Sequence, residues 1–222
     1  MSHRRFARAL LVGIAIPLFL SGCAGIPTST TKGKVSDGSY YSPLGNFVVP
    51  LPTPLFGSVR INDRNDADSG MVSLLDDAGN NEGVTYVSLE SESGPVEIVP
   101  ERRDAVYRSF VFDYVLPNLF QPVSPQSKVV HEEFLDSGPD RAFFAVAVIP
   151  GASSIMDAKT GVKLDSVRGL LVFDKGRFMY MLHREMRTAF DKLGADSDSL
   201  SEKDLAAAKN ALKILRASIR FQ

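Results

Sequence analysis

The chain reads RAFFAVAVI from Arg141 to Ile149, and every residue after the arginine is apolar. Successive side chains of a strand point to opposite faces, so this strand is apolar on both faces. Val167–Phe173 and Phe178–Leu182 follow the same pattern, and Asp174-Lys175-Gly176 between them is typical of a hairpin turn. Such strands must be covered on both sides. Because the hairpin makes its strands antiparallel, βαβ crossovers alone cannot supply that cover.

Two stretches have the spacing of helices that could cover this sheet. Pro100 occupies a favourable first helical position, and Glu101–Leu116 has apolar residues at helical spacing up to the next proline. Ser199 and Ser201 are candidate capping residues for a last helix, which is followed by a short terminal strand within Ser218–Phe221. The apolar stripe of that helix consists of Leu205, Ala208, Leu212, Leu215 and Ile219. We expect one helix on each face of the sheet.

Short β-rich runs, separated by turn clusters, precede the first helix. They are Phe47–Leu51, Ser58–Asn62, Met71–Leu75, Val84–Leu89 and Val96–Val99. This order of elements predicts the α+β class, with a mostly antiparallel sheet covered by helices and a long C-terminal helix.

In the order of its elements the chain resembles the PsbP-like α/β/α sandwich. The resemblance begins with a Phe-x-x-Pro-like segment, Phe47-Val48-Val49-Pro50, and continues through a helix, a four-strand meander and a long C-terminal helix. It covers most of Phe47–Gln222 and implies the fold of that family. The family contains mostly binding and assembly-assisting proteins, and the resemblance implies no catalytic residues here.

The N-terminus has the organisation of a secretory signal peptide. A basic start with Arg4, Arg5 and Arg8 precedes the apolar run Ala9–Leu20. That run is too short to span a bilayer as a helix, which needs about 20 residues. It ends in Leu20-Ser21-Gly22-Cys23, which resembles the bacterial lipobox.

The lipobox resemblance implies cleavage between Gly22 and Cys23 and attachment of acyl chains, such as palmitate, to Cys23. Two or more acyl chains anchor a protein stably to a membrane. Cys23 is the only cysteine of the chain, so it has no internal disulfide partner, and acylation accounts for its presence. Ala24 after the cysteine suggests sorting to the outer membrane. The alternative is an ordinary secreted protein in which Cys23 is incidental.

The composition divides the chain into a signal peptide (1–22), a lipidated N-terminus with a flexible tether (23–43) and a single globular domain (44–222). The tether prediction rests on the Gly, Ser, Thr and Lys content of residues 24–42. Cleavage would remove three arginines and no acidic residue, which changes the formal net charge from −1 to −4. This mild negative charge gives no long-range attraction to nucleic acid or anionic lipid.

No stretch of the sequence fits a metal or cofactor site. Asn62–Gly70 is rich in oxygen ligands, but Ala67 and Arg64 do not fit a calcium loop, so a polar turn is the better interpretation. His131-Glu132-Glu133-Phe134-Leu135 begins like a zinc-binding helix, yet Leu135 replaces the second histidine. We expect His131 and His183 to be sheet residues paired with carboxylates.

One surface is a candidate for partner binding. A basic stripe runs along the last helix at steps of four, three and four residues, and it could face an acidic partner or anionic headgroups. The stripe consists of Lys209, Lys213, Arg216 and Arg220. The alternative is an ordinary solvated helix face.

These features predict a non-enzymatic, lipid-anchored module of the bacterial cell envelope that binds or positions another component. We expect it on the outer membrane facing the periplasm, with an envelope protein as partner, no cofactor and no nucleic acid. The alternative is a small periplasmic hydrolase with an unrecognised active site. That hypothesis predicts a deep pocket gathering titratable residues such as His131, His183 and Glu185.

Overall fold

The computed structural model describes residues 32–54, 57–91, 94–95, 97–136, 140–186 and 200–222. Its helices are α1 (Pro100–Ser109), which continues without a break as a π-helix (Phe110–Phe120), and α2 (Glu202–Ser218). Its strands, in chain order, are β1 (Lys34–Ser36), β2 (Ser39–Tyr41), β3 (Phe47–Pro50), β4 (Val59–Asn65), β5 (Ser69–Asp76), β6 (Asn81–Ser88), β7 (Glu90–Ser91), β8 (Gly94–Pro95), β9 (Lys128–Leu135), β10 (Ala142–Ile149), β11 (Ser166–Lys175), β12 (Phe178–Glu185) and β13 (Arg220–Phe221).

The central sheet contains seven antiparallel strands in the order β4-β5-β6-β12-β11-β10-β9. Strands β9 to β12 form the predicted four-strand meander. All eight residues of β10 are buried, which confirms that this strand is covered on both faces. The hairpin between β11 and β12 turns at Gly176, whose φ of +59° suits the first position of a two-residue hairpin loop.

Helices α1 and α2 cover opposite faces of the central sheet, so the predicted α+β class is confirmed. The face under α2 also packs against the second sheet, whose strand order is β1-β2-β3-β13. The largest side chains in the core between α2, the second sheet and this face of the central sheet are Tyr40, Phe47, Tyr86, Phe144, Phe173, Phe178 and Tyr180. The face under α1 and the π-helix has its own core, which includes Tyr107, Val111, Val115, Phe120, Phe143, Leu170, Val172, Met179 and Met181.

Two contacts fix the helices on the sheet. Gly169 of β11 lets α2 approach closely, because a Cβ at this position would lie 3.2 Å from Leu212 Cδ1. On the other face, the guanidinium of Arg141 donates from Nε and Nη2 to both carboxylate oxygens of Asp104 in α1, at 2.9 and 2.6 Å. These hydrogen bonds hold the pKa of Asp104 below its usual value. Arg141, the charged residue just before the apolar strand β10, therefore holds α1 to the sheet.

Helix α2 begins as the sequence predicts. Ser201 is the N-cap, and its Oγ accepts a hydrogen bond from the backbone N–H of Asp204 at 3.2 Å. Ala208, Leu212, Leu215 and Ile219 are buried, and Leu205 packs at the edge of the same core. The other capping candidate, Ser199, lies outside the described residues.

The predicted tether is wrong for residues 34–41, which form the β1–β2 hairpin. Asp37 and Gly38 both have positive φ values, 50° and 67°, as a tight two-residue hairpin turn requires. Tyr40 is only 1% exposed, and its OH donates to Asp63 Oδ2 of β4 at 3.1 Å. Burial of this aromatic ring orders a segment whose overall composition is polar. Residues 23–31 of the expected tether lie outside the described residues.

Two further local predictions are wrong. Residues 97–99 of the expected strand Val96–Val99 are not in a strand, and the extended residues of this region are the short pair β7 and β8. The first helix does not end before Pro117 but runs on to Phe120 as a π-helix. Its buried residues Val111, Val115 and Phe120 recur at steps of four and five, which matches the wider turn. Pro117 cannot donate a helical hydrogen bond, but Phe120 beyond it is buried, which favours continuation of the helix.

Within the described residues, the helices are all too short or too polar to cross a membrane.

Leu212→Ala tests the two-sided cover of the sheet. Leu212 is fully buried between α2 and β11, so its truncation should lower the free energy of unfolding by about 2–5 kcal/mol through lost burial and a residual cavity. The matched control is Ile214→Ala on the same helix, where the side chain is 61% exposed and the expected change is about 0.5 kcal/mol or less. Urea denaturation measures both. Equal effects at the two positions would contradict the packing described.

Candidate functional site

The sheet face under α1 and the π-helix changes from apolar to polar residues toward one end of the sheet. Along β11 the inward residues run from Val172 and Leu170 to Arg168 and Ser166. Along β12 they run from Met179 and Met181 to His183 and Glu185. The register sets Arg168 opposite Glu185 and Leu170 opposite His183. A polar patch therefore continues directly from the apolar core on the same face.

A cavity of about 220 Å³ lies where this patch meets the end of the π-helix and the loop after β10. We call it the Arg168 cavity. Its apolar walls come from the sheet, from the π-helix and its exit, and from the loop after β10. Its polar lining residues are Thr85, Arg168 and His183. The apolar lining residues are Met71, Leu119, Phe120, Val123, Ile149, Ala152 and Met181.

Arg168 supplies the positive charge of the cavity. Within the described residues its guanidinium makes one hydrogen bond, from Nε to Ser166 Oγ at 3.0 Å, and has no carboxylate oxygen within 4.0 Å. The guanidinium carbon lies 5.9 Å from the centroid of the Phe120 ring. Burial lowers the pKa of Arg168, and the negative charge of Glu185 opposes that shift. An arginine nevertheless stays protonated in proteins, so a cation remains at this site.

His183 is held neutral at the inner wall. Its side chain is buried, and its Nε2 has no hydrogen-bond partner. Burial, together with the positive charge of Arg168, lowers the pKa of His183 to about 3. The ring lies against Gly83 of β6, where an added Cβ would be 2.6 Å from His183 Cε1 and 2.1 Å from the Val72 carbonyl oxygen. A glycine is therefore required beneath this histidine.

Glu185 is fixed beside the cavity by the loop after β10. Its Oε1 accepts a hydrogen bond from Ser153 Oγ at 2.8 Å, while its Oε2 is buried without a partner. Ser153 in turn is held by its loop, because its Oγ accepts from the backbone N–H of Ile155 at 3.1 Å. Thr85 Oγ1 is a further buried oxygen without a hydrogen-bond partner. Buried polar atoms are normally paired, so these atoms are exceptions within the described residues.

The structure brings together two of the three residues that the hydrolase hypothesis named. His183 and Glu185 lie two positions apart on the same face of β12. His131 lies on the opposite face of the sheet, where its Nε2 is 3.0 Å from Glu133 Oε1. The prediction that both histidines pair with carboxylates is thus right for His131 and wrong for His183. The Asn62–Gly70 stretch contains the end of β4, a turn and the start of β5. Within the described residues there is no group of three or more metal-ligating side chains.

The basic stripe meets acidic groups of the chain itself. Lys209 Nζ lies 2.8 Å from Glu133 Oε1, and Lys213 Nζ lies 3.0 Å from Asp136 Oδ1. Arg216 donates to the backbone carbonyl of Asp140 at 3.1 Å. These contacts tie α2 to the edge strand β9 and the residues after it. Arg220 lies apart from them, in the exposed part of β13. A partner-facing role for the stripe stays a prediction.

Arg168, Thr85 and Ser153 are not among the candidate residues that the sequence patterns indicate. The signal was present along β11, where polar Arg168 and Ser166 continue an apolar alternating set. Without strand register nothing placed Arg168 against His183 and Glu185. Gly22 and Cys23 of the lipobox lie outside the described residues.

A scan against known protein families finds no match, and a search of curated proteins finds none. Among solved structures, the chain is similar to the solution structure of cyanobacterial PsbP (CyanoP) from Synechocystis sp. PCC 6803. The match has 12% sequence identity and a TM-score of 0.41, and it covers 91% of this chain and 99% of that chain. The name of this structure, PsbP, is also that of the family which the order of elements in the chain resembles. At this score and identity the likeness assigns neither a function nor a site.

His183→Gln tests the buried neutral histidine through the pH dependence of stability. Between about pH 3 and 6.5 the unfolded chain binds a proton at His183 that the folded chain does not, so stability falls as the pH falls. The variant should flatten the slope of the unfolding free energy against pH by up to about 1.4 kcal/mol per pH unit in this window. Urea denaturation at a series of pH values measures the slope.

The control is Met181→Leu, which changes a neighbouring wall of the cavity without removing a titratable group. Its slope should equal that of the unsubstituted protein. An unchanged slope in His183→Gln would contradict a histidine held neutral by burial.

Proposed function

We propose that this chain is a lipid-anchored binding module of the bacterial cell envelope. The binding part of this proposal is supported by the Arg168 cavity, a mostly apolar recess lined by one cation and by two residues with an unpaired polar atom, Thr85 and His183. Ligand sites in proteins are typically concave and mostly apolar, with a small number of placed polar groups. The described cavity has this combination, and it lies on the central sheet.

The anchoring part is supported by the lipobox sequence. Cys23 follows three residues of the lipobox type and a short apolar run, and acyl chains would replace that run as the membrane anchor. The chain before β1 then links the lipid to the domain. Because the β1–β2 hairpin is bound to β4 through Tyr40 and Asp63, the linker is shorter than composition suggests. The domain would sit close to the lipid surface, in the periplasm at the outer membrane.

A second candidate function is a small periplasmic hydrolase, and one observation favours it: His183 and Glu185 lie together beside a cavity. It predicts hydrolysis of a simple p-nitrophenyl ester that is lost in His183→Gln. If the chain is a binding module only, the unsubstituted protein and His183→Gln should both hydrolyse the ester at the same low background rate.

Metabolic labelling with palmitate tests the anchor. The unsubstituted protein should incorporate label and fractionate with membranes, whereas Cys23→Ala should do neither, since the chain has no other cysteine. Ser21→Ala keeps a small residue before the cleavage site and should still be labelled. Label in Cys23→Ala, or an unlabelled native protein, would contradict the proposal.

A further inference from the structure

The Arg168 cavity contains a cation whose charge the described residues do not fully neutralise. Of the five N–H donors of a guanidinium, Arg168 uses one, on Ser166. The group is partly buried among apolar side chains, and an uncompensated charge in such surroundings is costly. The neighbouring His183 is neutral and adds no charge. An anionic acceptor bound here would therefore be stabilised.

The surroundings of Arg168 favour a single negative charge. Glu185 stands opposite Arg168 in the register, and Ser153 fixes its carboxylate there. Glu185 repels every negative charge on a ligand, and the single charge of Arg168 can offset only one, so a dianion is disfavoured relative to a monoanion. A planar carboxylate matches the fork of an arginine and carries only one charge. The chemistry thus selects a carboxylate over a phosphate.

The remaining walls require an apolar body. From Arg168 the cavity extends past Met181 toward Met71, and Leu119 and Phe120 of the π-helix close its other side. Methionine side chains adapt readily to different apolar shapes. At about 220 Å³ the cavity is smaller than the roughly 300–1,000 Å³ of pockets for drug-sized ligands. The body must therefore be short.

We propose that the Arg168 cavity binds a short monocarboxylate, with the carboxylate on the Arg168 guanidinium and the hydrocarbon between the two methionines and the π-helix. This inference rests on the proposed binding function and specifies its ligand class.

The test is isothermal titration of the full-length protein in neutral detergent micelles. The probes are hexanoate, its neutral analogue hexanamide, acetate and inorganic phosphate. Hexanoate should bind saturably, and the other three should bind about tenfold or more weakly, because each lacks the charge or the apolar body, or carries excess charge. Equal binding of hexanoate and hexanamide, or tighter binding of phosphate, would overturn the proposal.

Arg168→Gln should weaken hexanoate binding about tenfold or more, since a charged hydrogen-bonding partner is lost. Arg60→Gln removes the same charge from an exposed position on the edge strand β4, away from the cavity, and should leave binding unchanged. Equal affinity of Arg168→Gln and the unsubstituted protein would contradict the assignment of the carboxylate.

A second pair of variants does not depend on the folding of Arg168→Gln. Val123 lines the cavity and is 66% exposed, so substitutions there should leave the fold intact. At low ionic strength Val123→Glu should weaken hexanoate binding and Val123→Lys should strengthen it, each about twofold to threefold. No difference between the two Val123 variants would count against an anion at this site.

If palmitate labels Cys23 but no carboxylate binds, the anchor stands and the ligand class is wrong. If hexanoate binds but palmitate does not label Cys23, the ligand class stands and the anchor is wrong.

Discussion

The structure depends on the burial of both faces of strands β10 to β12. The stretch from Ala142 to Ile149 has no polar side chain to offer to water, so each face needs a cover. The chain supplies two different covers: α2 with the small sheet on one side, and α1 with the π-helix on the other. Gly169 and the Arg141–Asp104 pair set how closely the two helices approach.

The cavity forms because the central sheet extends farther than the helical layer, α1 and the π-helix, that covers its inner face. Strands β11 and β12 extend beyond the apolar part of the inner face, and the π-helix ends at Phe120 near this boundary. The inward residues beyond it are Arg168, His183 and Glu185, which helix packing alone cannot satisfy. A loop held through Ser153 closes one side and leaves the recess. The polar site is thus a product of strand length and of the point where the helix ends.

The sequence predicted the parts of the fold that periodicity controls. Strands apolar on both faces, the apolar stripe of α2 and its Ser201 cap all lie where the patterns indicate. The errors concern segments in which a single tertiary contact overrides composition. Tyr40 orders a polar hairpin by packing against Phe47, with ring centroids 6.1 Å apart, and Phe120 carries a helix past Pro117. The site escaped prediction because its residues lie far apart in the chain and meet only through strand register.

The most direct measurement is a crystal structure of the full-length protein grown with hexanoate. We expect a carboxylate within about 3 Å of the Arg168 guanidinium and a hydrocarbon chain between Met181 and the π-helix. Hexanoate bound elsewhere, or a cavity filled by protein side chains, would contradict the claim that the polar end of the sheet is a built ligand site.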